Sequence, residues 1–142
     1  MVAVPDTLHA SCVAIGGNGV LLLGPSGAGK SDLALRLIDR GAVLVADDRC
    51  VLERCGDELH CASPDALAGQ LEVRGIGIVA WPQCATAVVK LAVRLADRYE
   101  RMPGRQIETV AGVTLPAIRL APFEASAPIK VELALAALQG TA

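Results

Sequence analysis

Aromatic residues are scarce in this 142-residue chain, which has one tryptophan, one tyrosine and one phenylalanine. Because proteins bind single-stranded nucleic acids largely by stacking bases on aromatic rings, this scarcity argues against a nucleic-acid partner. An excess of positive charge is also missing, since 13 lysines and arginines face 15 aspartates and glutamates. With 53% hydrophobic residues, we expect one domain, spanning 1–142, with an aliphatic core.

Long hydrophobic runs and paired cysteines are missing as well. No apolar stretch approaches the roughly 18 residues that cross a bilayer, and residues 1–8 lack the basic start of a secretory signal. Five cysteines without a C-x-x-C pair favour reduced thiols. Zinc at Cys50, Cys55, His60 and Cys61 is a weaker alternative, because structural zinc sites usually pair cysteines across a tight turn. We therefore expect a cytoplasmic protein with no membrane partner.

Apolar segments alternate with turns along most of the chain. Strands are predicted at 8–15 and 20–23, which a turn at 16–19 joins as a hairpin. Further strands are predicted at 42–46, 51–54 and 86–94, with an interrupted strand at 71–78 and a strand broken by Pro116 at 112–120. Helices are predicted after a glycine-rich segment and from Pro128 to Leu138, and a loop or single helical turn at 63–67. The two kinds of element together indicate an α/β domain.

A glycine-rich loop between a predicted strand and a predicted helix carries the clearest chemical signal. Its residues are Gly24, Pro25, Ser26, Gly27, Ala28, Gly29, Lys30 and Ser31. They satisfy G-x-x-x-x-G-K-[ST], a P-loop whose backbone amides and helix N-terminus bind phosphate. A chance match in a chain of this composition has a probability of about 0.002. We therefore predict nucleotide binding, with Lys30 on the β and γ phosphates and Ser31 as a ligand of Mg²⁺.

Two acidic residues, Asp47 and Asp48, follow the next predicted strand. Mg²⁺ prefers hard oxygen ligands and needs a second one beside Ser31. Because neighbouring side chains on a strand point to opposite faces, we expect the two carboxylates to have different tasks. One carboxylate would face the γ-phosphate, and the other would support the first carboxylate or bind the metal. A solvated pair in a turn before Arg49 is the simpler alternative.

Five segments together resemble the catalytic domain of HPr kinase/phosphorylase, the bacterial enzyme that phosphorylates a serine of the phosphocarrier protein HPr. They are 8–10, 24–31, 44–48, 71–78 and 99–101. The most specific is 71–78, which reads LEVRGIGI downstream of Ala-Asp-Asp. The resemblance implies a single HPr kinase/phosphorylase-like catalytic domain with a P-loop-containing mixed β-sheet and flanking helices, a fold akin to phosphoenolpyruvate carboxykinase.

The resemblance also implies roles for individual residues. Asp48 takes the proton from the substrate serine, and His9 is a second catalytic residue near the phosphates. Lys30 contacts the transferring phosphoryl group, and Arg101 stabilises its charge. The expected metal ligands are Ser31, Glu72 and Asp47. Without the resemblance, His9 would be an ordinary surface or core residue, and Arg101 would belong to a solvated face. Glu72 and Arg74, on the same face of a strand, would simply pair.

One segment departs from the family pattern. Where the family has Pro-Val-x-Pro-Gly-Arg-Asn, linked to dephosphorylation, residues 120–126 read LAPFEAS. We therefore expect a short kinase without the family's N-terminal domain and with an altered reverse, phosphorylase reaction. It would use ATP and Mg²⁺, act on HPr or a related carrier, and form homo-oligomers, as hexameric family members do. The alternatives are a small-metabolite kinase and a nucleotide-binding regulatory module with little turnover.

Overall fold

The computed structural model describes residues 6–64 and 68–140. The turn predicted at 63–67 therefore lies partly outside the described residues. The elements in chain order are β1 (Asp6–Leu8), β2 (Ser11–Ile15), β3 (Asn18–Leu23), α1 (Lys30–Asp39), β4 (Val43–Ala46), β5 (Cys50–Cys55), β6 (Glu58–Ala62), β7 (Gln70–Val73), β8 (Gly77–Ala80), β9 (Thr86–Leu95), β10 (Gln106–Val110), β11 (Val113–Leu120) and α2 (Ala127–Leu138). Most of the predicted strands and both predicted helices are confirmed.

Nine strands form one mixed sheet around β3 and β9. β3 pairs antiparallel with β2, as the predicted hairpin requires, and parallel with β9. The other edge of β9 is shared, because its first residues pair with β6 and its last residues with β11. The parallel and antiparallel pairings confirm the expected mixed sheet, which curls where β6 and β11 diverge from their common neighbour.

The sheet has a buried hydrophobic cluster on each face. Alternation along β3 sends Leu21 and Leu23 to one face, and Val20 and Leu22 to the other. The second face is covered by α1 and α2, whereas residues from β5, β6, β10 and β11 enclose the first. Neither helix of the described chain has the length and apolar character required to cross a membrane.

The segment 71–78 forms a hairpin, not the single interrupted strand that we predicted. β7 and β8 pair antiparallel in a separate two-stranded sheet, with Leu71 opposite Val79. Gly75 and Gly77 have φ of +88° and +118°, a conformation that lets the chain reverse. Leu71 is fully buried against α1, so the hairpin is anchored on the same face of the main sheet as the helices.

The break predicted at Pro116 is also wrong, because β11 continues through this residue. Pro116 lies opposite Ile107 of β10, and pairing with β9 begins only at Ala117. Among the described strands, none therefore pairs with the side that faces away from β10 at the proline. Proline is tolerated at such edge positions because no ladder hydrogen bond is lost there.

The cysteines divide between the core and the surface. Cys12, Cys50 and Cys61 are buried in the cluster on the first face, whereas Cys55 is exposed at the end of β5. Interaction with Cys61 and burial raise the pKa values of the Cys12 and Cys50 thiols, which stay protonated. No group of three or more His, Cys, Asp or Glu side chains in the described ranges could hold a metal ion, so the zinc alternative gains no support.

Leu33 and Ile107 provide a paired test of the packing between helices and sheet. Leu33 of α1 is fully buried, whereas Ile107 of β10 is 61% exposed. We expect Leu33→Ala to lower the free energy of unfolding by about 3 kcal/mol, because a buried leucine loses its contacts and leaves a cavity. Ile107→Ala should change it by less than about 1 kcal/mol. Urea unfolding followed by circular dichroism measures both, and equal losses would contradict the burial of Leu33 between α1 and the sheet.

Candidate functional site

The glycine-rich loop, residues 24–30, runs from β3 into α1 and forms a tight turn. Gly27 and Gly29 have φ of +80° and +105°, a left-handed conformation that residues without a Cβ adopt readily. The amide of Ala28 donates to the carbonyl of Pro25 at 3.1 Å. Since no side chain of the described residues caps α1 at Gly29, the amides of the first helical turn are available to an anion.

The side chain of Lys30 folds back over this loop. It is only 8% exposed, and its amino group donates to the carbonyl oxygens of Gly24 at 2.7 Å and Pro25 at 2.9 Å. These two contacts hold the ammonium against the backbone that would receive the phosphates. The geometry is therefore compatible with the predicted contact between Lys30 and a transferring phosphoryl group.

Asp47 joins three separate parts of the chain at the end of β4. Its side chain is buried, and Oδ1 accepts hydrogen bonds from the hydroxyls of Ser31 at 2.6 Å and Ser11 at 2.9 Å. Oδ2 accepts a hydrogen bond from the backbone amide of Glu72 at 3.2 Å. One carboxylate thus connects the glycine-rich loop, the start of β2 and the β7–β8 hairpin.

Asp48 points elsewhere because the chain turns sharply after Asp47. Asp48 has φ of +67°, and the amide of Arg49 donates to the carbonyl of Asp47 at 2.7 Å. These values describe a three-residue turn, a tighter reversal than the strand alternation that we expected. Asp47 is consequently directed inward, whereas the Asp48 side chain is exposed and lines a cavity beside the loop. The two carboxylates lie in different environments, as predicted.

The cavity has a volume of about 330 Å³, which falls within the range of small-molecule sites. It brings together the glycine-rich loop, the first turns of α1, the hairpin and the segment before α2. Its lining residues include Lys30, Ser31, Asp48, Glu72, Leu35, Val73 and Phe123. Several of the predicted site residues, which are far apart in sequence, therefore share one space.

Glu72 and Arg74 both reach this cavity from the hairpin. Glu72 lies in β7, whereas Arg74 belongs to the reversal between the strands, so they do not share a strand face as the sequence suggested. No ion pair joins them among the residues that the structure describes. The carboxylate of Glu72 is exposed and stays available to a ligand in the cavity.

His9 and Arg101 are not among the residues that line the cavity. His9 is exposed in the bend between β1 and β2, two residues before Ser11, which contacts Asp47. Arg101 is exposed in the loop between β9 and β10, two residues after Tyr99. Their predicted catalytic roles remain predictions.

The segment 121–126, called the cavity wall below, contributes Phe123 to the lining of the cavity and is fixed at both sides. The guanidinium of Arg36 in α1 donates to the backbone carbonyls of Pro122 and Glu124. The hydroxyl of Tyr99 donates to the carboxylate of Glu124 at 2.6 Å, and Lys130 of α2 lies 3.5 Å from the same carboxylate. Interaction with Tyr99, and then with Lys130, holds the pKa of Glu124 below its usual range. The wall is therefore an ordered part of the site.

Sequence reasoning missed three contributors to this site: Ser11, Arg36 and Phe123. Ser11 is a fully buried polar residue in an apolar strand, and such a residue usually has a specific partner. Phe123 is the single phenylalanine of the chain and follows a proline, but these signals do not specify a position beside the loop. The local pairing of Arg36 with Asp32 gives no sign of this role, because the carbonyls that Arg36 contacts at the site lie 86 and 88 residues away in sequence.

Three comparisons relate the chain to known proteins. Residues 1–121 match the model of the HPr Serine kinase C-terminal domain family. HPr kinase/phosphorylase of Chlorobium phaeobacteroides (strain BS1) is 37% identical over 133 residues, which are 83% of this chain and 39% of that protein. The corresponding protein of Caldanaerobacter subterraneus subsp. tengcongensis is 47% identical over 74 residues, which are 51% of this chain and 24% of that protein.

A solved structure extends the similarity to the fold. The Hpr(Ser) kinase/phosphatase from Coxiella burnetii superimposes with a TM-score of 0.80 and 29% sequence identity. The match covers 94% of this chain and 96% of that chain. In contrast, this chain spans only about two fifths or less of the length of the curated relatives named above.

Proposed function

The chain belongs to the HPr serine kinase C-terminal domain family, and we propose that it transfers the γ-phosphoryl group of ATP to a serine of HPr or a related phosphocarrier. The supporting observation is the position of Asp47. Its carboxylate binds Ser31 of the P-loop and the backbone of Glu72 in the family-specific hairpin. The phosphate-binding motif and the distinguishing motif of the family therefore meet at one cavity.

Mg²⁺ is part of this proposal, and it fits the oxygen atoms that line the cavity together with the carboxylate of Asp47, which is buried behind Ser31. The hydroxyl of Ser31 and the carboxylate of Asp47 are hard ligands held 2.6 Å apart, the type of donor that Mg²⁺ prefers. The exposed carboxylate of Glu72 supplies a further oxygen in the same cavity. When bound, the ion neutralises charge on the β and γ phosphates.

The other roles in phosphoryl transfer are assigned to side chains of this chain. Lys30, already held over the loop, is proposed to contact the transferring phosphoryl group. Asp48, exposed in the cavity, is proposed to accept the proton of the attacking serine hydroxyl. Arg101 is proposed to stabilise the charge of the transferred group, and His9 to act as a second catalytic residue near the phosphates. The loop that carries Arg101 is tied to the cavity wall through Tyr99 and Glu124, which supports that assignment.

The proposal extends to the domain organisation, the compartment and the oligomeric state of the protein. We propose that 1–142 forms one catalytic domain with a P-loop-containing mixed sheet akin to phosphoenolpyruvate carboxykinase, and that the protein is cytoplasmic. We also propose a homo-oligomer, such as a hexamer. Its support is the exposed apolar surface of α2, where Ile129, Leu133 and Leu138 are 42%, 60% and 48% exposed.

The reverse reaction is proposed to be altered. The place of the family's Pro-Gly-Arg-Asn is taken by a segment that presents Phe123 to the cavity and ties Glu124 to Tyr99 and Lys130. No arginine of this segment is available to bind free phosphate, because 121–126 contains none. Transfer to the carrier would then be favoured over phosphorolysis of the phosphorylated carrier.

A forward and a backward assay test the proposed function. The protein is incubated with HPr and γ-labelled ATP, and separately with serine-phosphorylated HPr and inorganic phosphate. We expect label on a serine of HPr in the first assay and little phosphate-dependent release in the second. ATP binding without transfer to any carrier would instead indicate the regulatory module. ADP release that depends on a small metabolite, with no protein acceptor, would indicate a metabolite kinase.

A further inference from the structure

We infer that Phe123, with Leu35 and Val73, forms the subsite that receives the purine base of the nucleotide. This inference rests on the proposed function, because it requires the phosphates to lie on the loop at 24–31. It adds an assignment for the apolar residues of the cavity, to which the motif and the family-specific hairpin give no role.

The cavity offers two chemical kinds of lining residue. The charged and hydroxyl-bearing residues include Lys30, Ser31, Asp48 and Glu72. The apolar residues are Leu35 and Val73, which are half-buried, and Phe123, which is exposed. A nucleotide has the same two parts, since its phosphates are charged and its base offers flat apolar faces. With the phosphates anchored at the loop, the base is the part of the nucleotide that matches the apolar residues.

The Phe123 ring is exposed yet closely positioned. It is 70% exposed, and it lies so near Gly29 that a Cβ there would be 2.9 Å from Cζ and 3.1 Å from Cε1. The absence of a side chain at Gly29 therefore lets the ring reach the loop. Because Arg36 holds the carbonyls on both sides of Phe123, the ring is presented to the cavity by an anchored backbone. A fixed ring with an open face is suited to stacking.

Two of the charged groups near Phe123 are already paired. The carboxylate of Asp32 lies 3.0 Å from the guanidinium of Arg36. The carboxylate of Glu124 accepts the hydrogen bond from Tyr99 at 2.6 Å and lies 3.5 Å from Lys130. Leu35, Val73 and Phe123 themselves offer dispersion and stacking, which accept the π-face of any base.

Phe123→Ala tests the subsite when ATP is compared with inorganic tripolyphosphate, which has the phosphates but no base. Removing one stacking ring should weaken ATP binding about tenfold, equivalent to about 1.4 kcal/mol, and leave tripolyphosphate binding unchanged. Phe123→Trp should keep the ATP affinity, and the fluorescence of the new tryptophan should respond to ATP but not to tripolyphosphate. Isothermal titration calorimetry measures both ligands.

Ile107→Ala is the matched control, because Ile107 is 61% exposed and does not line this cavity. It should bind both ligands as the unchanged protein does. Unchanged ATP binding in Phe123→Ala would overturn the inference, as would an equal loss for ATP and tripolyphosphate, which would show that the ring only supports the loop. A change confined to the KM of the protein acceptor would overturn it in favour of acceptor docking.

The test separates this inference from the proposed function. If the unchanged protein binds ATP more tightly than tripolyphosphate but phosphorylates no carrier, the proposed function fails and the base subsite stands. If carrier phosphorylation is observed and Phe123→Ala binds ATP normally, the subsite fails and the function stands.

Discussion

Lys30→Ala is expected to lower phosphoryl transfer to the carrier by about 10² to 10³-fold, because it removes a positioned positive charge from the transferring group. The charge is positioned in advance, since the Lys30 amino group donates to the carbonyls of Gly24 and Pro25. Such a group needs little rearrangement when the nucleotide arrives. Single-turnover transfer of label from ATP to HPr, at saturating nucleotide, measures the effect.

Lys90→Ala is the control for the loss of one lysine. Lys90 lies on β9, is 46% exposed, and its amino group is 3.9 Å from the carboxylate of Glu58, a surface pair of small energetic value. Transfer by this variant should equal that of the unchanged protein. If Lys30→Ala also transferred at the normal rate, the proposed role of the P-loop lysine would be wrong.

Asp48→Asn is expected to keep ATP binding and to lower transfer to the carrier by about 10² to 10⁴-fold, the usual contribution of a general base. The amide is almost the same size as the carboxylate, but it does not accept the proton of the serine hydroxyl. Because Asp48 is exposed and its side chain makes none of the hydrogen bonds described for Asp47, the fold should be unaffected. Calorimetry with ATP and a transfer assay with HPr separate the two effects.

Asp47→Asn is the comparison that distinguishes the neighbouring carboxylates. Asp47 is buried and accepts hydrogen bonds from Ser11, Ser31 and the amide of Glu72. We expect this variant to lose Mg²⁺-dependent ATP affinity together with transfer. If Asp48→Asn transferred normally, while Asp47→Asn kept ATP and Mg²⁺ binding but lost transfer, Asp47 would be the base.

The different environments of Asp47 and Asp48 show how far a local pattern can be trusted. Strand alternation predicted that the two side chains would diverge, and they do. The side chains diverge for a different reason from the expected strand alternation, because a three-residue turn at Asp48 redirects the chain. Which carboxylate is buried was not predictable from the spacing, since burial of Asp47 depends on hydroxyls that lie 36 and 16 residues away in sequence.

Local chemistry explains the features that could be predicted from the sequence alone. The glycine-rich loop, the hairpin of β2 and β3, and the boundaries of α1 depend on residues that are neighbours in sequence, so their conformations follow from glycine, proline and hydrophobic periodicity. The family-specific segment at 71–78 was also recognisable. Its form was not, because LEVRGIGI fits either a strand with glycines or a tight hairpin.

The shape of the cavity depends on contacts between distant segments. Arg36 reaches the backbone 86 and 88 residues later, and Tyr99 reaches Glu124 across 25 residues. Phe123 contacts Gly29 because the curled sheet places α1 beside the segment before α2. Residue types and their spacing were therefore sufficient to predict phosphate binding, whose ligands are contiguous. The second wall of the site required the packed chain, because no local rule relates positions that meet only through the core.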